Sequence, residues 1–94
     1  MDKDKIYKTA IKKFGTEKQV IVAIEELSEL IQALTKSFRN TILPKVSDNI
    51  IEEIADCIIV LEQLQRIFDI RMSVVEEYNK KLRRLEKLVG ESDE

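Results

Sequence analysis

The sequence predicts an all-α fold, and three observations support this class. Glycine occurs twice and proline once in 94 residues, so few positions interrupt a helix. Apolar residues recur at steps of three and four, and no segment alternates between apolar and polar residues as a half-buried strand does. Isoleucine, leucine, glutamate and lysine are abundant, which is typical of helical proteins. We expect a single domain over residues 1–94, formed as a compact bundle of three long helices and an N-terminal helix.

The N-terminal helix is expected within residues 1–15, because Gly15 favours helix termination. Thr16 and Gln19 then fit a capping box, in which two side chains satisfy backbone N–H groups at the start of the second helix. The second helix carries a stripe of apolar residues at helical spacing, which consists of Val20, Ile24, Leu27, Ile31, Leu34 and Phe38. We expect this stripe to face the core.

The third helix is predicted to follow a polar loop that contains Pro44, which cannot continue a helix. Any of the polar residues 47–49 can cap this helix, with Glu52 placed to complete a capping box from Asn49. It runs to about Phe68. Its apolar residues leave almost no polar side, and they are Ile50, Ile51, Ile54, Ala55, Ile58, Ile59, Val60, Leu61, Leu64, Ile67 and Phe68. This pattern predicts a buried helix.

The fourth helix is predicted to begin at a capping box formed by Ser73 and Glu76. Its core positions are Val75, Tyr78, Leu82, Leu85 and Val89. We expect Gly90 to end the helix, and we expect residues 90–94 to form a frayed acidic tail.

The net charge of −2 favours neither nucleic acid nor an anionic membrane as a partner. No apolar run approaches the roughly 20 residues of a membrane span, and the first ten residues lack the apolar stretch of a signal peptide. The one cysteine, Cys57, has no disulfide partner within the chain, which favours a reducing cytoplasm. Histidine is absent, so any chemistry must depend on oxygen ligands and on cations.

Carboxylates interrupt the two most apolar helices. In the second helix Glu25, Glu26 and Glu29 lie nearly opposite the apolar stripe, and a solvated acidic face would explain any one of them. In the third helix Glu53 and Asp56 are three residues apart and share one face of a helix that is predicted to be buried. Buried carboxylates persist in proteins when they are protonated, paired or bound to metal, and this helix has no lysine or arginine near them.

The pairs Glu26–Glu29 and Glu53–Asp56 can face each other if the second and third helices pack antiparallel. Four carboxylates would then surround one point and supply only oxygen ligands, which favours Mg²⁺ or Mn²⁺. One divalent cation would leave net negative charge on the four carboxylates, and two would neutralise it. The sequence therefore predicts a Mg²⁺ site that holds two or more ions with substrate and can receive a polyphosphate through them.

Basic residues crowd the last helix at Lys80, Lys81, Arg83 and Arg84. Complementing the helix dipole and pairing with nearby acids explain Lys80 and Arg83, since both point away from the apolar face. Lys81 and Arg84 lie nearer the border of that face, where a role inside a cleft is plausible.

The two acidic motifs, "EELSE" and "EEIAD", resemble the E-E-x-x-E … E-x-x-D signature of the MazG-like all-α nucleoside triphosphate pyrophosphohydrolases. The segments "FGTEKQ" and "ELIQALTKSFR" are similar to those before and after the first acidic motif in the short members of that family. The last helix carries "YNKKLRRL", which is similar to their closing pattern and places Asn79, Lys81, Leu82 and Arg84 at its defined positions. The resemblance covers roughly residues 14–85, which is most of the chain.

The resemblance implies a helical bundle that assembles as a homodimer or homotetramer. Members of the family hydrolyse a nucleoside triphosphate to the monophosphate and pyrophosphate, by attack of a metal-activated water on the α-phosphorus. The ligands of Mg²⁺ would be Glu26, Glu29, Glu53 and Asp56. Glu25 would be a further ligand or would orient the water.

Four other residues acquire expected roles from the resemblance. Lys81 and Arg84 would contact phosphate oxygens and Asn79 the nucleotide, while Lys36 is a further candidate for phosphate. The chain lacks the tryptophan that longer relatives carry, so the preferred base and sugar stay open. Related families that share the bundle act on dUTP or on phosphoribosyl-ATP. The alternative is a non-catalytic helical module that dimerises, or that binds nucleotides without cleaving them.

Overall fold

Four α-helices make up the part of the chain that the computed structural model describes, which is residues 1–39 and 41–92. They are α1 (Lys3–Phe14), α2 (Thr16–Ser37), α3 (Asp48–Ile67) and α4 (Arg71–Ser92). No strand occurs in these residues. None of the described helices combines the length and the apolar character that crossing a membrane requires. The predicted all-α class, with one shorter helix followed by three long ones, is confirmed.

A single residue, Gly15, joins α1 to α2, and the first helix ends there as the sequence predicts. Its φ of +90° is a conformation that glycine adopts readily, and its N–H donates to the carbonyl of Ile11 at 2.9 Å. The predicted capping box is wrong, because Thr16 is already helical and no side chain caps the start of α2. The carbonyl of Gly15 accepts the N–H of Gln19 at 3.1 Å, so α2 begins at once.

The start of α3 is capped by Ser47, one of the three residues that the sequence allows. Its hydroxyl accepts the N–H of Ile50 at 3.3 Å. The expected capping box between Asn49 and Glu52 is wrong, because both residues already lie inside the helix. The serine cap therefore fixes where the chain leaves the loop and enters α3.

The turn between α3 and α4 depends on Asp69, whose φ of +53° lies in the left-handed region. This turn is complete by Arg71, where α4 begins, so the capping box expected at Ser73 lies inside the helix and that prediction is wrong. The prediction that Gly90 ends α4 is also wrong, since α4 continues to residue 92. An isolated glycine weakens a helix without necessarily ending it. Residues 93 and 94 of the expected tail lie outside the described residues.

The hairpin of α2 and α3 forms the largest helix–helix interface of the described chain. α1 packs against both of these helices, whereas α4 packs against α3 and meets α1 only through the ion pair of Arg71 with Asp4. Ala23 and Ala33 are the buried apolar residues of α2, and their small side chains allow α3 to approach closely. The buried face of α3 consists of Ile50, Glu53, Cys57, Val60 and Gln63.

The apolar stripe predicted to form the core of α2 lies largely outside this interface. Ile24 is 59% exposed, Ile31 is 65% exposed and Phe38 is 51% exposed. The core face predicted for α4 is exposed as well, from Val75 to Val89. In α3 only one face is buried, so the prediction of burial on nearly all sides is wrong for the single chain. Periodicity shows which residues share a face, but it does not show what covers that face.

The chain is more open than the predicted compact bundle. Its radius of gyration is 16.7 Å and its extents are 49 × 35 × 24 Å, whereas a compact domain of this length has a radius of gyration of about 12 Å. No large side chain of the described residues is fully buried. Large apolar surface on several helices is therefore available to a further chain.

Polar contacts hold α1 against the C-terminal half of α3. Glu62 accepts hydrogen bonds from Lys3 at 3.0 Å and from the hydroxyl of Tyr7 at 3.3 Å. Arg66 donates to Asp4 at 2.8 Å, and its guanidinium lies 4.7 Å from the centre of the Tyr7 ring. On α3 these contacts are made by Glu62 and Arg66, which follow Glu53 and Asp56 along the helix.

Candidate metal centre

Three carboxylates meet at the interface of α2 and α3. Each of Glu26, Glu53 and Asp56 places one carboxylate oxygen within 4.8 Å of the oxygens of the other two. Glu53 and Asp56 are three residues apart on α3, so they project from the same face toward α2. The structure thus brings together, from two helices, three of the four residues predicted as metal ligands. We call these three residues the carboxylate cluster.

Two oxygens of the carboxylate cluster are buried without a hydrogen-bond partner. They are the Oε2 atoms of Glu26 and of Glu53. Glu53 is only 9% exposed, and Glu26 is half-buried. Unpaired buried carboxylate oxygens lose their hydration and gain nothing in return, which is costly unless a proton or a cation compensates them. The cluster is therefore a place where a bound cation would relieve an unfavourable arrangement.

The electrostatics of the site follow from burial and from crowding of like charges. Burial raises the pKa of Glu26, and the charges of Glu29, Asp56 and Glu53 raise it further. Burial also raises the pKa of Glu53, followed by the charge of Glu29 and a hydrogen bond with it. The fourth predicted ligand, Glu29, therefore lies beside the carboxylate cluster, although its oxygens are not among the three that converge.

Cys57, which was not among the predicted site residues, also lies against the carboxylate cluster. Its thiol is buried and donates a hydrogen bond to the carbonyl of Glu26, with an Sγ–O distance of 3.4 Å. Burial raises the pKa of the thiol, and the four neighbouring carboxylates raise it further. The neutral thiol packs beneath the site. Its position four residues after Glu53, on the same face of α3, was the signal in the sequence.

The chemistry of the donor set suits a hard divalent cation. All donors of the carboxylate cluster are carboxylate oxygens, which Mg²⁺ and Mn²⁺ prefer, and the chain has no histidine. The unpartnered Oε2 atoms of Glu26 and Glu53 are free to act as ligands. The residues present therefore fit the predicted ion.

The other predicted site residues lie apart from the carboxylate cluster. Glu25 is exposed and is not among the converging carboxylates. Asn79, Lys81 and Arg84 are exposed on α4, and their side chains make no hydrogen bond or ion pair within the described residues. Lys36, at the end of α2, lines a cavity together with Arg39 and Lys45, which were not among the predicted site residues.

The chain matches no protein-family model, and neither curated proteins nor solved structures give a significant match to it. The resemblance to the MazG-like enzymes therefore rests on the motifs in the sequence. The all-α fold and the convergence of Glu26, Glu53 and Asp56 are compatible with that resemblance.

Proposed function

We propose that the protein is a Mg²⁺-dependent nucleoside triphosphate pyrophosphohydrolase of the MazG-like type, which releases pyrophosphate and a nucleoside monophosphate. The observation that carries the proposal is the pair of unpartnered, buried oxygens on Glu26 and Glu53, in a cluster that Asp56 completes. An acidic cluster of this kind repels a polyphosphate until cations neutralise it. The reaction class is inferred from the resemblance of the two acidic motifs, in their order along the chain, to those of the MazG-like enzymes.

The residues of the carboxylate cluster would hold the metal, with Glu29 as the fourth carboxylate. A bound divalent cation would supply charge neutralisation for the phosphates and activation of the attacking water. Because Glu26 and Glu53 lie in the middle of long helices, their oxygens are held in place before substrate arrives. Their burial keeps bulk water from competing for the same oxygens. Glu25, which is exposed, is proposed as a further ligand or as the residue that orients the attacking water.

The exposed apolar faces of α2 and α4 support self-association as a homodimer or homotetramer. The stripe that includes Ile31 and Phe38 follows helical spacing over most of α2, and the face around Tyr78 and Leu82 does so on α4. A small chain with exposed apolar faces of this length is stabilised when a second copy buries those faces. In such an assembly, α4 can approach the carboxylate cluster of another chain. Lys81, Arg84 and Asn79 on α4 would then contact the substrate.

A product assay tests the proposed reaction. Wild-type protein and the variant Glu53→Gln are incubated with Mg²⁺ and a panel of ribo- and deoxynucleoside triphosphates, with dUTP and phosphoribosyl-ATP included. Pyrophosphate, orthophosphate and the nucleotide product are measured separately. The matched control is Glu52→Gln, which removes a neighbouring exposed carboxylate on the same helix. We expect pyrophosphate and monophosphate from the wild type and the control, and none from Glu53→Gln.

Release of orthophosphate with a diphosphate product would move the attack to another phosphorus and contradict the proposal. Absence of turnover across the whole panel would favour the second candidate, a non-catalytic helical module. That candidate is supported by the extent of exposed apolar surface on α2 and α4. It predicts that replacing Glu53 by glutamine changes stability but no activity.

A further inference from the structure

A cavity lies between the end of α2 and the start of α3, and we call it the basic cavity. Its volume is about 320 Å³. The residues that matter for its chemistry are Ala33, Lys36, Arg39, Lys45, Ser47 and Asn49. Three of these side chains are cationic, and no acidic residue of the described chain lines the cavity.

The cations of the basic cavity are not used by the fold. The ion pairs of the described residues join α1 to α3 or to the start of α4, and none of them involves Lys36, Arg39 or Lys45. The cavity also lies at the N-terminus of α3, where the helix dipole contributes partial positive charge beside the Ser47 cap and the acidic Asp48 of the first turn. Like charges gathered around one cavity without acidic partners repel each other, and an anion would relieve this repulsion.

The basic cavity adjoins the carboxylate cluster along both helices. On α3, Asn49 precedes Glu53 by one helical turn. On α2, Ala33 follows Glu26 by two turns and follows Glu29, which lies beside the cluster, by one turn. One turn corresponds to about 5.4 Å along the helix axis. An anion that reaches from one position to the other must therefore be extended and carry more than one charged group. A polyphosphate chain satisfies both requirements.

We propose that the basic cavity holds the terminal phosphates of the substrate and retains them as pyrophosphate after cleavage. This inference rests on the proposed hydrolysis for the identity of its ligand. In that reaction the oxygen of one water bonds to the α-phosphorus, and the bond from this phosphorus to the α,β-bridging oxygen breaks. The electron pair of the broken bond leaves with pyrophosphate, and a proton of the water passes to solvent. Lys36, Arg39 and Lys45 oppose the negative charge that builds up on the leaving group.

Direct binding of inorganic pyrophosphate tests this assignment without requiring turnover. Isothermal titration is carried out on wild-type protein, in EDTA and again in Mg²⁺. The test variant combines Lys36→Gln, Arg39→Gln and Lys45→Gln. The matched control combines Lys12→Gln, Lys80→Gln and Lys87→Gln, which removes the same charge from other exposed positions. All six side chains are exposed, so the variants should fold, and circular dichroism checks this.

We expect the test variant to bind pyrophosphate roughly tenfold or more weakly than the wild type, because three charge-assisted contacts are lost. The control variant should bind as the wild type does. Equal binding by wild type and test variant, or equal weakening in the control, would overturn the inference. So would the absence of pyrophosphate binding to the wild type.

Two further outcomes separate this inference from the proposed function. If no nucleotide is hydrolysed and the test variant still loses pyrophosphate binding, the hydrolysis proposal fails and the cavity stands as a polyphosphate site. If nucleotides are hydrolysed and the test variant keeps the wild-type pyrophosphate affinity, the cavity assignment fails and the hydrolysis proposal stands.

Discussion

Carboxylate oxygens of Glu26 on α2 and Glu53 on α3 lie within 4.8 Å of each other, across the main interface of the fold. Each residue also has one buried oxygen without a hydrogen-bond partner. The contact between these helices is therefore formed partly by groups that repel each other when both are ionised. Binding of a cation by these two residues would therefore also stabilise the hairpin.

Addition of Mg²⁺ or Mn²⁺ should raise the melting temperature of the wild-type protein. A ligand at about 100 times its Kd stabilises the folded state by about 2.7 kcal/mol, which for a chain of this size corresponds to roughly 10–20 °C. Thermal unfolding followed by circular dichroism, with EDTA as reference, measures the shift. The variant Glu53→Gln should lose most of it, and Glu52→Gln should keep it. An unchanged melting temperature for the wild type in millimolar Mg²⁺ would contradict the assigned site.

The contribution of Glu26 and Glu53 to the stability of the metal-free protein should decrease as the pH rises above about 4.5. The pKa values of Glu26 and Glu53 are raised above their ordinary 4.5 by burial and by neighbouring carboxylates. The folded state therefore binds their protons more tightly than the unfolded chain does. The resulting stabilisation is fully present below the unfolded pKa and is lost as the pH rises through the folded pKa.

Comparison of Glu53→Gln with wild type isolates this effect. Asp4 and Glu62 have lowered pKa values, caused mainly by Arg66 and by Lys3, and they destabilise the fold at lower pH in both proteins. We expect the metal-free variant to gain stability relative to wild type as the pH rises above 4.5. Urea unfolding at several pH values in EDTA measures the difference. A difference that is constant with pH would show that Glu53 titrates normally.

Loss of the Arg66 side chain should destabilise the attachment of α1. Arg66 donates to Asp4, to the carbonyl of Glu62 at 2.8 Å, and lies over the ring of Tyr7. We expect Arg66→Ala to lower the free energy of unfolding by roughly 1–3 kcal/mol, the usual cost of hydrogen bonds to charged groups. Arg71→Ala is the control, because Arg71 is largely exposed and lies 3.8 Å from Asp4. Equal effects of the two substitutions in urea unfolding would contradict this account.

A charge placed on the exposed stripe of α2 should dissociate the proposed assembly. Ile31 is 65% exposed in the single chain, so Ile31→Glu is tolerated by a monomer but would bury an unpaired carboxylate in an interface. Ile42→Glu is the control, since Ile42 is 92% exposed and lies in the loop outside the helices. Light scattering after size exclusion measures the mass of each protein. A monomeric wild type at high concentration would contradict self-association.

The sequence predicted the helices and the meeting of the acidic residues because both depend on local spacing. Glu53 and Asp56 are three residues apart, which places them on one side of any α-helix. The connection over residues 38–47, which contains Pro44, joins α2 directly to α3 and makes them neighbours in the chain. When the two helices pack as an antiparallel hairpin, Glu26 on α2 lies opposite Glu53 on α3. Helical geometry was sufficient for this part of the site.

Two features could not be predicted from the spacing of residues in the sequence. They are the residue that caps α3 and the face of α2 that packs against α3. Ser47 and Asn49 are both suitable N-cap residues. In the structure Ser47 is the cap, and Ile50, whose N–H it accepts, is buried. The two sides of α2 both carry apolar residues, so periodicity could not show that Ala23 rather than Ile31 faces α3. The small side chain of Ala23 allows α2 and α3 to pack closely. The apolar pattern of one helix does not show which of its faces will pack in this way.

The buried thiol of Cys57 can be used to detect separation of α2 and α3. Because burial and surrounding negative charge keep this sulfur protonated, it is a poor nucleophile for as long as α2 and α3 stay together. A thiol reagent can reach it only during moments when the two helices separate. The chain has no second cysteine to confuse the signal. The rate of alkylation therefore measures how often the interface between α2 and α3 opens.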